Sequence, residues 1–578
     1  MALAGTGTVS GPQQPTDFGP TGGAQVVRDG AGHRTGTVTI FAGSSPGSFT
    51  RITTAMSQAQ IQTAINTDTT GKVWWEKGLY EGPWSAINSA VWTLDTVSNQ
   101  EHRFETGPLR TPTDTAIIHG SEPVTGWTAG TGADLGYWSV TGQTQNFSSF
   151  HNSAGPDPYH NDHPPAGHTL EAYYRDNVLL QPAATKAAVL GRTDAVFFDR
   201  AGRAWLGSNP SGHTFARLGS FFTGTFRVRV PGITIKGGIF RHSGFANFYV
   251  ERISTPLTPN NFTLQDCEMS YGRLANLRVL GAATPDRISN VNISYCTFHH
   301  GGRYNFAMTN VNTMTISYVE TYNGNMCHFG NRVVGTFDEG SDKTLFCDSM
   351  WYHHNWFHDN DGPGSWQDTR VEDFLHEQCV VENNFGAGVH HEDNTRGTFR
   401  YNYFENNQKD GNQEAPFNGT ATGWPTLGGW SYKGGGMWIS RSSFCEIHNN
   451  HMVGNKHATF YIRGDDVGVH RLDNMWLHDN LVYHADGDSA LEYMISYRDS
   501  SDYVSLATSN NRYNFNTYHV PAAGRGQTGA TFGTQQWFFA PSGQSRTFAE
   551  WRAGMTSINA TFAPASYFDP NSTLATDL

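Results

Sequence analysis

From about residue 231 to residue 500, apolar positions alternate with polar ones in short runs, such as Phe262-Thr263-Leu264 and Val291-Asn292-Ile293. A period of two over a few residues is the pattern of a half-buried strand. No apolar pattern of helical length, about 10–12 residues, separates the runs, which argues against alternating strands and helices. Between them a polar phrase returns: HHNWFHDNDGPG, VENNFGAGVHHE and RYNYFENN. Self-similarity at tens of residues marks a repeat architecture, here with coils of about 20–30 residues and loops of variable length.

Aligning the residue two places before an apolar side chain gives a column: Cys267, Cys296, Val319, Asn355, Asn384, Asn402, Asn450 and Asn480. An inside corner has backbone groups that no ladder bond reaches. Asn side chains satisfy them and bond one another along a stack, while Cys and Val act as small apolar plugs. The pattern predicts an all-β chain: a right-handed parallel β-helix with these residues in one axial line. Cys267 and Cys296 are read as buried free thiols.

The flanks predict the remaining parts. Residues 1–50, rich in Gly, Thr, Ser and Pro, read as an attachment arm ordered by a partner or another copy of the chain. Residues 51–230 read as the entry to the solenoid. Met56, Ile61 and Ile65 predict a cap helix over 54–66, capped by Thr53 or Thr54. The apolar runs of 117–230 predict a small antiparallel β insertion. The coils occupy 231–504, with a loop at 408–437 arching over one face. Residues 505–578 close the solenoid, with TFAEWRAGM as a short helix packing Phe548 and Trp551.

Charged residues make up 15% of the chain, below the ~25% of ordinary domains, and the net charge is −13. No basic cluster is visible in the sequence, which argues against nucleic acid as a partner. No apolar stretch is long enough to span a membrane. MALAGTGTVSGPQQPTDFGP lacks a basic region followed by an apolar one, so no secretory signal is expected. The His-rich loop SSFHNSAGPDPYHNDHPPAGH has no diagnostic ligand spacing, and His353 and His354 point to opposite faces of a strand. No metal or cofactor is expected.

The order of parts resembles right-handed parallel β-helix repeat proteins of the pectate-lyase-like superfamily, from bacteria and bacteriophages. The matching pieces are IHGSEPVTGW, FFDRAGRAWLGSNPSGH, HNWFHDNDGPGSWQDT, AGVHHE and TFAEWRAGM…YFDP, within roughly residues 60–570. Residues 1–50 are outside it. The resemblance implies a carbohydrate-facing groove along the coils. It puts Trp366 and Asp368 on one coil, with His391 and Glu392 on the next. Asp368 and Glu392 lie about one coil apart in sequence, so the two carboxylates are the expected catalytic pair. Asp361 and Asp393 are reserves, and His391 is an alternative base. Trp366, Trp424 and Trp430 are expected to be exposed for sugar stacking, joined by Tyr432, Lys433, Arg370 and Arg396. The expected function is a spike-like phage minor tail protein that binds and cleaves host cell-envelope polysaccharide. It would be a homotrimer held to other tail proteins through residues 1–50 and located in the virion tail. The alternatives are an extracellular bacterial carbohydrate-active enzyme, hydrolase or lyase, and a non-catalytic adhesive tail component.

Overall fold

The computed structural model describes residues 25–28, 34–38, 48–81, 92–107, 111–142, 173–199, 202–218, 224–252, 257–325, 340–407, 435–463, 472–483, 493–497, 511–520, 538–540, 544–549 and 571–576, apart from single residues and one pair inside these spans. It is a right-handed parallel β-helix built from three sheets of thirteen strands each. One coil shows the plan. Thr263–Gln265 lies in the second sheet, Glu268–Ser270 in the third and Ala275–Leu280 in the first. The next coil repeats them in register, with Leu264 beside Ile293, Met269 beside Phe298 and Leu277 beside Phe306. The alternation read from the sequence sends these side chains inward, where they form one continuous core. The parallel sheets take strands from Thr50–Ile52 to Thr573–Thr576, a wider span than 231–504.

The corner between the second and third sheets carries the expected column. The backbone carbonyls of Cys267, Cys296, Val319, Asn355, Cys379, Asn402, Asn450, Asn480 and Asn516 all accept from the next coil at equivalent positions. Asn402, Asn450, Asn480 and Asn516 pass amide hydrogen bonds along the axis at 3.0 Å each. The residue before each column member is left-handed: Asp266, Tyr295, Tyr318, His354, Gln378, Tyr401, Asn449, Asp479 and Phe515. That conformation turns the chain sharply and leaves the corner amides for side chains to satisfy. Asn384 does not belong to this line. It lies in a second ladder between the third and first sheets, Asn247, Asn276, Asn305, Asn360, Asn384, Asn407 and Asn455, linked at 2.8–3.4 Å. Two corners of one coil impose the same need for an amide, so the two ladders share a local phrase. Cys267, Cys296, Cys347, Cys379 and Cys445 are buried free thiols.

Helix α1, Gln58–Thr67, starts four residues later than expected. Ser57 caps it, in a reciprocal box with Gln60. Its Ile61 and Ile65 enter the same core as Trp75, Trp92, Phe104 and Phe226. The strands of the insertion run from Ser121–Pro123 to Phe215–Leu218 and form a four-stranded antiparallel sheet and a five-stranded one, which is antiparallel except where Gln181–Pro182 runs parallel to Ala195–Asp199. They pack around their own cluster, including Val140, Tyr173, Leu206 and Phe215. The flanking Ala116–His119 and Phe226–Val228 belong instead to the parallel sheets. Within residues 1–50, Gln25–Arg28 and Arg34–Val38 pair as an antiparallel hairpin, and the latter strand lies against the chain's own Thr297–His299. Phe548 packs on Tyr518 at 5.8 Å, and Trp551 lies outside the described residues.

Candidate functional site

Four successive strands of the first sheet build the site: Asp342–Leu345, Ser365–Asp368, Val389–Glu392 and Met437–Ser440. Parallel register fixes who faces whom. Asp368 is the direct partner of Glu392, and Trp366 of His390, which in turn is the partner of Trp438. Alternation points Lys343, Trp366, Asp368, His390 and Glu392 outward, and Asp342, Ser365, Gln367 and His391 inward. The expected carboxylate pair is thus brought together on adjacent strands, whose backbones run about 4.8 Å apart.

The two carboxylates have unequal surroundings. Asp368 receives the Lys343 ammonium at 3.0 Å and the Thr369 hydroxyl at 2.7 Å. Glu392 takes the Arg441 guanidinium and lies 3.3 Å from His390 Nε2. Burial pushes the Glu392 carboxyl up to about 6, and the Asp368 charge adds to the rise, against Arg441 and Lys343. One group beside a charged neighbour and the other partly protonated near neutrality is an arrangement suited to acid–base work.

A ladder of rings runs beside the pair. Lys343 Nζ sits 3.4 Å above the Trp366 ring centroid. His390 stacks on Trp366 at 5.0 Å and on Trp438 at 3.8 Å, with both ring pairs within 10° of parallel. Trp366 is therefore 5% exposed, against the expectation of an open stacking face. Adjacent coils place equivalent side chains one above another, so its neighbours take both faces of the indole.

His391 points into the core and is fully buried, which removes it as the alternative base. Desolvation pushes its imidazole down to about 3. Asn394 Nδ2 donates to its Nδ1 at 3.3 Å, so Nε2 carries the proton. The interior here is polar. Burial holds Asp342 well above the ordinary carboxylate range, and it accepts from Ser365 at 3.3 Å and Tyr352 at 3.4 Å. Gln367 donates to Ser365 at 2.6 Å, and buried His376 donates to Asn402 at 3.0 Å. Gly397 makes room for this layer, since a Cβ there would meet His391 Nε2 at 2.8 Å.

The remaining expected residues are not at the pair. Asp393 and Arg370 are left-handed corner residues following the site strands. Asp361 lies at the opposite corner, where its amide bonds Gly324. Arg396 faces the second sheet and pairs with Asp373 and Glu372. Trp424, Trp430, Tyr432, Lys433 and most of the expected arching loop lie outside the described residues. Lys343, His390 and Arg441 were missed. For His390 the signal was there: two residues before an outward Glu392, it had to point outward. Among the described residues no group of three or more His, Cys, Asp or Glu is arranged to hold a metal ion, and no helix is long and apolar enough to cross a membrane.

No protein-family model matches the chain, and no curated protein matches it. Solved structures do. One is a complex of XylC with xylose, at 12% identity over 81% of this chain and 83% of that one, TM-score 0.45. Another is the A-module of the Azotobacter vinelandii mannuronan C-5 epimerase AlgE6, at 10% identity over 90% and 95%, TM-score 0.32. A third is the tailspike gp61 of Pseudomonas phage phi297, at 10% identity over 81% and 74%, TM-score 0.31. Identities of 10–12% leave the activity of this chain to its own residues.

Proposed function

We propose that this chain binds cell-envelope polysaccharide along its first sheet and hydrolyses it, with Glu392 as general acid and Asp368 as base or nucleophile. The observation that carries the reading is the direct register of Asp368 with Glu392, one beside Lys343 and the other raised toward neutrality. In the reaction Glu392 gives its proton to the leaving glycosidic oxygen. Asp368 either attacks the anomeric carbon or takes a proton from the water that does, and the anomer of the first product tells which. The test is release of reducing ends from envelope polysaccharide by the full chain. Unsaturated ends would mean eliminative cleavage by a lyase, and no product at all would leave a binding protein.

The biological setting in this reading is a phage tail, with the chain as a homotrimeric spike. It rests on the sequence resemblance, and deletion of residues 1–50 tests it. Loss of incorporation into particles supports attachment through that segment, and a monomeric mass in solution counts against the trimer.

A pH dependence follows. Glu392 donates only while protonated, so turnover falls as pH rises through about 6. Stability moves the same way. A carboxyl raised from its ordinary 4.5 binds its proton more tightly when folded. Its contribution, about 2 kcal/mol, is complete below 4.5 and lost as pH rises through about 6. Denaturant titrations at pH 4.5 and pH 7.5, comparing the wild type with Glu392→Gln, check the sign. The difference vanishes if Glu392 titrates normally.

A further inference from the structure

Among the described residues two tryptophans are exposed, Trp351 at 42% and Trp476 at 40%, and both stand on the outer face of the second sheet. Parallel register puts them in one row: Trp351, Leu375, Thr398, Glu446, Trp476, each the partner of the next. Four inter-strand steps separate the two, about 19 Å along the axis. The two indoles are set in the same way. Each lies against the outward histidine two residues on, Trp351 against His353 at 4.2 Å and 33°, Trp476 against His478 at 3.9 Å and 31°. Further bonds hold both pairs. Trp351 Nε1 donates to Glu377 at 2.9 Å, and Glu377 also takes Arg400 at 2.7 Å. His478 lies between Asp479 at 2.6 Å and Glu446 at 3.1 Å. Such bracing on a rigid sheet fixes the pose of each ring before any ligand arrives.

We propose that this row is a second glycan-binding surface, for a neutral, straight, β-linked hexopyranose chain lying along the axis with one sugar stacked on Trp351 and another on Trp476. A pyranose with equatorial hydroxyls carries C–H groups on its faces and hydroxyls around its rim. An indole takes the face, and polar groups beside it take the rim. Thr398 and Glu446, between the rings in the row, supply acceptors and a donor for those hydroxyls. A straight row suits a straight chain better than a coiled α-linked one. It also suits a glycan better than a second copy of this chain. Thr398 and Glu446 isolate the rings from one another, whereas the core of a protein interface is a closed patch depleted of charge. The row is on a different sheet from Asp368 and Glu392, so the proposal does not rest on the hydrolytic reading.

The test is titration calorimetry on the full-length protein with three probes: cellohexaose, long enough to reach both rings, cellobiose, which reaches one, and maltohexaose, which is coiled. Cellohexaose should bind about tenfold or more tightly than either of the others, because its second contact is intramolecular. Trp351→Ala and Trp476→Ala should each weaken cellohexaose binding by about tenfold, and Trp351→Phe should keep part of it. The double alanine variant should lose the dependence on chain length. Phe444→Ala, exposed but off the row, should bind like the wild type. Melting curves identify any alanine variant that fails to fold, and the phenylalanine variant at that position then serves in its place. A wild type that binds no cellohexaose, or binds cellobiose or maltohexaose as tightly, overturns the proposal. So do tryptophan variants that bind cellohexaose like the wild type. Alanine variants that bind no less glycan but lower the mass of the assembly in solution make the face a contact between copies, and also overturn it. Cellohexaose held on the rings by a protein that cuts no envelope polysaccharide keeps this surface and removes the hydrolytic reading. Polysaccharide cut by a protein whose glycan affinity ignores both rings does the reverse.

Discussion

Glu392→Gln and Asp368→Asn each lower glycan cleavage by about 10²–10⁴-fold while folding and glycan binding persist, the usual loss when a positioned acid or base is removed. The amides keep the shape of the acids. Gln at 392 still offers an oxygen to Arg441, and Asn at 368 still accepts from Thr369. What is lost is proton transfer at one site and negative charge at the other. The two variants also differ in pH behaviour. In Asp368→Asn the charge that helps raise Glu392 is gone, so the alkaline fall in residual activity moves to lower pH. Reducing-end assays on equal concentrations of folded protein measure both effects. Wild-type rates in both amides would show that the pair does no chemistry.

Asn450→Leu destabilises the fold by about 3–5 kcal/mol, because it strands several buried groups at once. Asn450 Oδ1 accepts from the Asn402 backbone at 3.0 Å and from the Asn402 side chain at 3.0 Å. Its Nδ2 donates to the Phe399 carbonyl at 2.9 Å and to Asn480 at 3.0 Å. Leu is of similar size and offers none of these bonds. Cys379→Ala, in the same line, removes one weak sulfur acceptor of the Asn355 amide, at 3.4 Å, in place of four amide bonds, and costs about 1–2 kcal/mol. Denaturant midpoints compare the two, and equal losses would mean that the ladder is not what holds the corner.

The recurrence of Asn and Cys before an apolar residue was enough to read the axial line, because one physical need repeats at every coil. The same logic misplaced Asn384, since two corners of the coil make the same demand and the local phrase does not say which corner is meant. The carboxylate pair was legible because the family resemblance singles out the two phrases that hold Asp368 and Glu392, and these are about one coil apart in sequence. Lys343 and Arg441 were not, because loops of unequal length precede and follow the site and hide which residues share a row. Trp366 was placed on the correct face and given the wrong exposure, because the sequence does not tell which neighbour lies over a ring.

A solenoid holds together as a row of near-neighbour interfaces, each as strong as what stacks between its coils. Over most of this one the stacking layer is hydrocarbon, such as Leu264 on Ile293 or Leu277 on Phe306. In the first sheet, from Asp342 to His391, the inward row is instead polar, and Ser365 bonds Asp342 of the preceding coil at 3.3 Å. The second and third sheets of the same coils keep their hydrocarbon, with Met350 on Phe374 and Phe357 on Val381. Apolar stacking tolerates small slips, whereas a buried directional bond tolerates little displacement. The side of the stack that carries Asp368 and Glu392 is therefore its most orientation-demanding one, set in coils that the other two sides hold together.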